Sequence, residues 1–226
     1  MMRFLCLALA CLLSACSTPP PAADAGSWHA VALPGKRATQ YVWTVKEGRP
    51  ALEARADQSA SMMRKRLEVA PADLGSVSFS WWVQDVLAGA DLGTAGLGDA
   101  PARVLFAFSG DHARLTPRTR MMFDLAETLS GERPPFATLM YVFGHDGASP
   151  DQLFVHPRTD RVRKIVLDVG PEQTRRWRMH RRDLAADFRR AFGEEPGMLV
   201  SVAVMTDADN TQQGARAWYG PIEFTP

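Results

Sequence analysis

The chain has 226 residues, and because β-sandwiches of about 200 residues commonly form one unit, this length favours a single domain. Its 26 basic and 25 acidic residues give a net charge of +1. That balance leaves no positive surplus to hold a phosphate backbone, which argues against nucleic-acid binding. The hydrophobic share of 46% is ordinary for a globular core, and 17 glycines with 16 prolines indicate many turns.

Residues 1–15 have the layout of a secretory signal peptide. Arg3 gives a positive start, and the apolar run of residues 4–13 is shorter than the roughly 20 residues that span a bilayer. Residues 13–16 (Leu-Ser-Ala-Cys) resemble the bacterial lipobox, which implies cleavage before Cys16 and acyl chains such as palmitate on its thiol. Ser17 fits outer-membrane sorting, so we expect a lipoprotein facing the periplasm. The alternative is an ordinary signal peptide with an incidental cysteine.

The three cysteines occur only inside this leader, at Cys6 and Cys11, or directly after it, at Cys16. The folded domain is therefore expected to have no disulfide, no cysteine nucleophile and no thiolate metal site. Residues 16–26 contain three consecutive prolines and predict a semi-extended tether behind the lipidated cysteine. Residues 27–226 are then expected to form one domain.

Beyond the tether, apolar residues recur at every second position in short runs separated by Gly, Pro and Asp, which predicts antiparallel strands. The first two runs flank Gly48-Arg49-Pro50 and predict a hairpin. We expect about nine strands: Tyr41 to Glu47, Ala51 to Ala56, Met62 to Leu67, Val77 to Asp85, Arg103 to Phe108, Ala137 to Phe143, Val162 to Val169, Leu199 to Met205 and Ala217 to Phe224.

One short amphipathic helix is predicted over residues 183–192. Its apolar residues recur at helical spacing, Asp183 can cap its start and Gly193 can end it. Nine strands without regularly intervening helices disfavour an alternating strand–helix fold. The pattern predicts a mostly β protein, a jelly-roll-like antiparallel β-sandwich, whose concave face is a common place for saccharides.

Two neighbouring tryptophans occur in the strand predicted at residues 77–85. Trp81 shares the apolar face, whereas Trp82 shares the other face with Ser80 and Gln84. An indole beside hydroxyl and amide groups suits the stacking of a sugar ring. Trp82, together with Tyr141 on a later strand, is therefore a predicted stacking surface for a ligand. The alternative is that Trp82 is covered, as large aromatic side chains usually are.

Charged residues follow the same strand. Asp85, Asp91 and Asp99 occur in the next loop and Arg103 opens the following strand, so these groups are expected to gather at one end of the sandwich. An ion pair between Asp99 and Arg103 would brace the loop, since a guanidinium matches a carboxylate well. Alternatively, Asp85 and Arg103 belong to a polar rim that contacts a ligand.

The segment 205–211 (MTDADNT) places Asp207, Asp209 and Asn210 directly after an apolar strand. Such a density of oxygen atoms suits Ca²⁺, which takes about six to eight oxygen ligands. The segment lacks the glycine and distal glutamate of an EF-hand loop, and Asp and Asn also favour tight turns. Calcium is the one cofactor that the sequence suggests, with a turn as the alternative.

The one concentrated basic stretch runs from Arg175 to Arg182, with Arg189 and Arg190 following. It suits an anionic lipid or lipopolysaccharide surface. The alternative is a solvated rim balanced by nearby carboxylates, because the whole chain is close to neutral.

Sequence signatures of catalysis are absent: the chain has no G-x-S-x-G elbow, H-E-x-x-H motif, P-loop or G-x-G-x-x-G motif. Its five histidines are scattered without metal-ligand spacing. A glycosidase requires two carboxylates about 5 to 10 Å apart, and Asp85 with Asp207 is a candidate pair.

Several segments together resemble the domain of unknown function 3047 family of exported bacterial proteins, from about residue 28 to residue 224. They are FSWWV (79–83), DAPAR (99–103), LMYV (139–142), FGEEP (192–196), MTDADNT (205–211) and AWYG (217–220). The resemblance places six residues in the family's polar pattern, without an established role: Asp99, Arg103, Asp207, Asp209, Asn210 and Tyr219. Phe143 and Pro221 depart from the family pattern.

These observations leave three hypotheses. The first is a non-catalytic, lipid-anchored periplasmic protein that binds a glycan or another envelope component. The second is a structural or partner-binding lipoprotein that uses the arginine-rich stretch. The third is a glycan-cleaving hydrolase.

Overall fold

The computed structural model describes residues 25–225. The predicted signal peptide, Cys16 and most of the predicted tether lie outside these residues. None of the described helices is both long and apolar enough to cross a membrane.

The described part of the chain contains thirteen strands and two α-helices. The strands are β1 (Trp28–Ala32), β2 (Gln40–Lys46), β3 (Arg49–Asp57), β4 (Ala60–Val69), β5 (Ser76–Val83), β6 (Ala100–Phe108), β7 (Ala137–Phe143), β8 (Leu153–Val155), β9 (Val162–Asp168), β10 (Trp177–Asp183), β11 (Leu199–Asp207), β12 (Gly214–Tyr219) and β13 (Glu223–Thr225). The helices are α1 (Pro117–Ser130) and α2 (Leu184–Phe192).

The strands form two sheets that pack as a sandwich. The seven-stranded sheet has the order β1-β4-β11-β6-β7-β9-β8, and the six-stranded sheet has the order β10-β5-β12-β3-β2 with β13 beside β5. The strand pairs are antiparallel except β7 and β9, which are parallel. The predicted jelly-roll-like β-sandwich is confirmed.

The core lies between the inward faces of the two sheets. On β5 the residues Phe79 and Trp81 face inward, and on the opposite sheet Phe106 and Tyr141 meet them. Phe79 and Tyr141 stack with ring centroids 5.5 Å apart. This burial follows the period-two alternation of the sequence, so each strand of the seven-stranded sheet turns its other set of side chains outward.

Helix α2 matches the prediction. The Asp183 carboxylate accepts a hydrogen bond from the Ala186 amide at 2.8 Å, and Gly193 ends the helix with a φ of 71°. Phe188 packs against Phe108 with ring centroids 4.6 Å apart. The helix therefore covers one edge of the main core.

Helix α1 was not predicted. Phe123 is buried against the core, whereas Met121, Leu125 and Leu129 are between 58% and 66% exposed. The apolar residues of α1 therefore lie on two sides of the helix, and no one-sided apolar stripe marks it in the sequence.

Most of the arginine-rich stretch forms strand β10. Alternation turns Arg178 and Arg182 toward the sandwich interior. Arg178 pairs with Asp168 at 2.9 Å, and Arg182 binds Asp187 at 2.8 Å. Interior carboxylates therefore engage these two guanidinium groups, whereas Arg175, Arg176 and Arg181 are exposed. Contact of this stretch with an anionic surface stays a prediction.

Candidate functional site

An open cleft lies on the outer face of the seven-stranded sheet, and we refer to it as the outer cleft. On β11, Val202 and Val204 belong to the core, so Met205 and Asp207 face outward. The cleft has a volume of about 360 Å³. Its floor is apolar and mostly aliphatic or thioether in character, formed by Leu33, Met62, Leu105, Met140 and Met205.

Three carboxylates, which we call the aspartate cluster, lie close together: Asp207 and Asp209, which line the outer cleft, and Asp99. One oxygen from each lies within 4.8 Å of the others. Asn210, predicted as a ligand with two of them, also lines the outer cleft. The structure therefore brings the predicted oxygen-bearing residues together and adds Asp99 to them.

Arg103 pairs with Asp207 rather than with Asp99. Its Nε and one terminal nitrogen donate to the two Asp207 oxygens at 2.9 and 2.8 Å, and the Ala100 amide donates to the same carboxylate at 3.1 Å. The expected Asp99–Arg103 pair is wrong because the β6–β11 pairing sets Asp207 opposite Ala100, on the same face as Arg103. Burial raises the pKa of Asp207, and the Arg103 guanidinium opposes that rise.

The other two carboxylates have their own partners. Asp99 accepts from the Asn210 side-chain amide at 2.6 Å and from the Thr211 amide and hydroxyl at 2.7 and 2.8 Å. Asp209 pairs with Lys36. A cation would therefore compete with these donors for the carboxylate oxygens, and calcium binding stays a prediction.

Lys164, His156 and Arg158 also line the outer cleft, on β9 or in the segment before it, and we call them the cationic end. Lys164 is 2% exposed and donates to the Leu92 carbonyl at 2.8 Å. Burial, aided by the Arg103 charge, lowers its pKa to about 8. Sequence reasoning missed this residue, although a lysine inside the apolar run of β9 was a usable signal.

His156 is neutral near pH 7. Burial and the charges of Lys164, Arg103 and Arg158 lower its pKa to about 4. Its Nδ1 lies 3.2 Å from the Arg158 amide, from which it accepts a hydrogen bond. The ring proton is therefore on Nε2, and the side chain is a hydrogen-bond donor through that atom.

The predicted stacking surfaces are wrong, because both rings are buried. Tyr141 is fully buried between the sheets, and its hydroxyl donates to Asp187 at 2.7 Å. Trp82 is 6% exposed, and its indole donates to Glu47 at 2.9 Å. Lys46 lies 3.6 Å above the same ring, so the turn between β2 and β3 covers it.

Asp85 lies away from the outer cleft. It pairs with the exposed Arg175 at 2.7 Å and lines a separate shallow cleft with Gln84 and Arg216. Asp85 and Asp207 therefore do not face a common cleft, as a pair of glycosidase carboxylates would.

A family model described as "Protein of unknown function (DUF3047)" matches residues 26–223. The chain belongs to the DUF3047 family.

The residues of the polar pattern that carries the DUF3047 resemblance lie close together in the structure. The buried Tyr219 hydroxyl donates to the Met205 carbonyl at 2.7 Å and accepts from the Arg103 amide at 3.3 Å. It thereby joins the interior to the strands that carry the Arg103–Asp207 pair.

Among curated proteins, none matches this DUF3047 chain. Solved structures with a similar chain path include a cellulase derived from Cel12A of Rhodothermus marinus, with 14% identity, a TM-score of 0.45 and coverage of 88% of this chain and 92% of that chain. The xyloglucanase domain of NopAA from Sinorhizobium fredii has 11% identity and a TM-score of 0.43, and the match covers 88% of this chain and 92% of that chain. The family 11 xylanase from Neocallimastix patriciarum has 8% identity and a TM-score of 0.35, and the match covers 88% of this chain and 100% of that chain. With TM-scores below 0.5, these likenesses say nothing about what this chain binds.

Proposed function

We propose that this DUF3047 protein is a lipid-anchored protein of the bacterial outer membrane, facing the periplasm, which binds a glycan or another envelope component in the outer cleft without cleaving it. The observation that carries this proposal is the composition of the outer cleft. An apolar floor is accompanied by the polar groups of Arg103, Asp207 and Asp209 and by the cationic end. Binding sites for small molecules typically combine such an apolar surface with a few convergent polar groups.

The mode of binding differs from ring stacking. Apart from the His156 imidazole, the described residues that line the outer cleft provide no aromatic ring. A ligand would lie on the methionine thioethers, which adapt to irregular shapes. Its hydroxyl groups would bond to carboxylates and to cationic donors.

Two features support binding over hydrolysis. Both oxygens of Asp207 accept hydrogen bonds from Arg103, which leaves this carboxylate poorly placed to exchange a proton with a substrate. The second carboxylate of the candidate pair, Asp85, lines a different cleft. The hydrolase alternative then requires another pair of acids.

The test of the site uses two matched substitutions in the full chain, purified in neutral detergent. Met140→Glu introduces a charge on the cleft floor, whereas Met179→Glu introduces one on the six-stranded sheet, where Met179 is 70% exposed. Glycans from bacterial envelopes and plant walls are screened by thermal shift, and each hit is titrated by calorimetry. We expect Met140→Glu to weaken binding at least tenfold and Met179→Glu to leave it unchanged. Equal binding by both variants would exclude the outer cleft as the site.

The anchor has its own test. Cys16→Ala should move the protein from the membrane fraction to the soluble periplasmic fraction and abolish incorporation of labelled palmitate. A palmitate-free wild-type protein would show that the leader is an ordinary signal peptide. The partner-binding alternative predicts instead that cross-linking in the envelope captures a protein although no glycan binds.

A further inference from the structure

The cationic end of the outer cleft has more positive charge than its protein neighbours neutralise. The Lys164 ammonium carries three protons, and the structure gives it one acceptor, the neutral Leu92 carbonyl. Among the described residues no carboxylate forms an ion pair with it. A buried ammonium without a counter-ion is costly, which makes an external anion a favourable partner.

The nearest carboxylates are already engaged. Asp207 and Asp91 are the acidic groups whose charge reaches Lys164. Asp207 is bound on both oxygens by Arg103. Asp91 accepts from the Thr94 hydroxyl at 2.7 Å and the Gly93 amide at 2.8 Å within its own loop. Neither acid is free to turn toward the ammonium.

Two further donors line the cleft beside Lys164. The neutral His156 ring presents its Nε2 proton, because its Nδ1 is bound to the Arg158 amide. The Arg158 side chain is exposed and has no ion pair within the described part of the chain. An ammonium, a guanidinium and an imidazole N–H therefore line the outer cleft together, while the carboxylates near the ammonium are engaged by other donors.

We propose that the cationic end binds an anionic group of the ligand, a carboxylate or a phosphate. This assignment rests on the proposed function, since it names the class of ligand that the outer cleft takes. A carboxylate would come from an acidic sugar, and a phosphate from a phosphorylated sugar or a lipid headgroup sugar. In both cases the anion supplies the counter-charge that Lys164 lacks, and the apolar floor contacts the rest of the ligand.

The first experiment measures the anion site without assuming a glycan. The full chain in neutral detergent is melted at pH 7 and constant ionic strength while phosphate or acetate replaces chloride. The melting temperature should rise with the logarithm of anion concentration. Lys164→Met and Arg158→Gln should abolish the rise, whereas Arg181→Gln, at an exposed position on the other sheet, should retain it. An unchanged response in the first two variants would overturn the proposal.

The second experiment separates the two sources of the anion. Calorimetry compares oligogalacturonate with its methyl ester, and glucose 6-phosphate with glucose. Tighter binding of one charged form by at least tenfold, weakened by added salt and lost in Lys164→Met, identifies the source. Arg158→Gln, at an exposed position, repeats the test should Lys164→Met fold poorly.

The outcomes distinguish this inference from the proposed function. Equal binding of charged and neutral saccharides at the floor overturns the anion site and leaves glycan binding in place. A Lys164-dependent response to inorganic phosphate, with no saccharide bound in either form, supports the anion site and removes the glycan from the proposed function.

Discussion

Replacing Lys164 with methionine should stabilise the protein in the absence of ligand. The fold lowers the pKa of this ammonium from its ordinary 10.5 to about 8, which at about 1.4 kcal/mol per pH unit corresponds to a cost of about 3 kcal/mol for keeping it charged. Methionine has a similar length and no charge. It leaves the Leu92 carbonyl without a donor, which costs about 1 kcal/mol. We therefore expect Lys164→Met to raise the free energy of unfolding by about 2 kcal/mol at pH 7.

The gain should depend on pH in a defined direction. Because the folded-state pKa lies below the unfolded one, the unfolded chain holds more protons than the folded chain between pH 8 and pH 10.5. Wild-type stability therefore gains from deprotonation of Lys164 as the pH rises through this window. The advantage of Lys164→Met should be about 1 kcal/mol smaller at pH 9 than at pH 7.

The assay is urea unfolding of both proteins at pH 7 and pH 9, in buffers free of phosphate and carboxylates. Arg118→Gln, which removes an exposed positive charge, serves as the control. A variant less stable than wild type at pH 7, or a difference that does not change with pH, would refute the view that Lys164 is a buried charge lacking a counter-ion.

Four further perturbations test other parts of the structure. Measured by urea unfolding, Arg103→Met should lower the free energy of unfolding by about 3 to 5 kcal/mol, since it leaves the buried Asp207 carboxylate unpaired. A double variant that also replaces Asp207 with leucine should lose less stability. Trp82→Ala should cost about 3 to 5 kcal/mol because the ring is buried, yet leave ligand affinity unchanged by calorimetry; a loss of affinity without a loss of stability would restore the ring as a binding surface. Gly197→Ala should lower the melting temperature, because the new Cβ would clash with the backbone oxygen of Ser109, whereas Gly26→Ala, with open space around it, should not. The calcium hypothesis predicts that a chelator lowers the melting temperature of the wild type, and an unchanged value excludes a bound calcium ion.

The sheets were predictable because alternation is a local signal. Each of the nine predicted strands corresponds to an observed strand, the last of them divided into β12 and β13. The strand β10 was missed because arginine usually indicates solvent, and here the interior acids Asp168 and Asp187 compensate the charge. That compensation joins β10 to residues of β9 and α2, which a local pattern does not show.

The site was predictable in part for the same reason. The polar pattern of the family resemblance identified the aspartate cluster with Arg103, since these residues occur in compact motifs. Lys164, His156 and Arg158 come from the β8–β9 region, and only the sheet order brings them to the same cleft as residues of β11. The prediction that Trp82 is exposed is wrong for a similar reason, because Lys46 and Glu47, which cover its ring, are distant from it in sequence.

The pairing of buried charges separates structural groups from the functional candidate. Asp168, Asp187 and Asp207 are each buried against a guanidinium, and Asp99 accepts three hydrogen bonds. Lys164 is as deeply buried as these acids but has one neutral acceptor. A sandwich that satisfies its interior acids this completely would gain stability from an apolar residue at position 164. An anion in the outer cleft, as proposed above, would complete the pairing of Lys164.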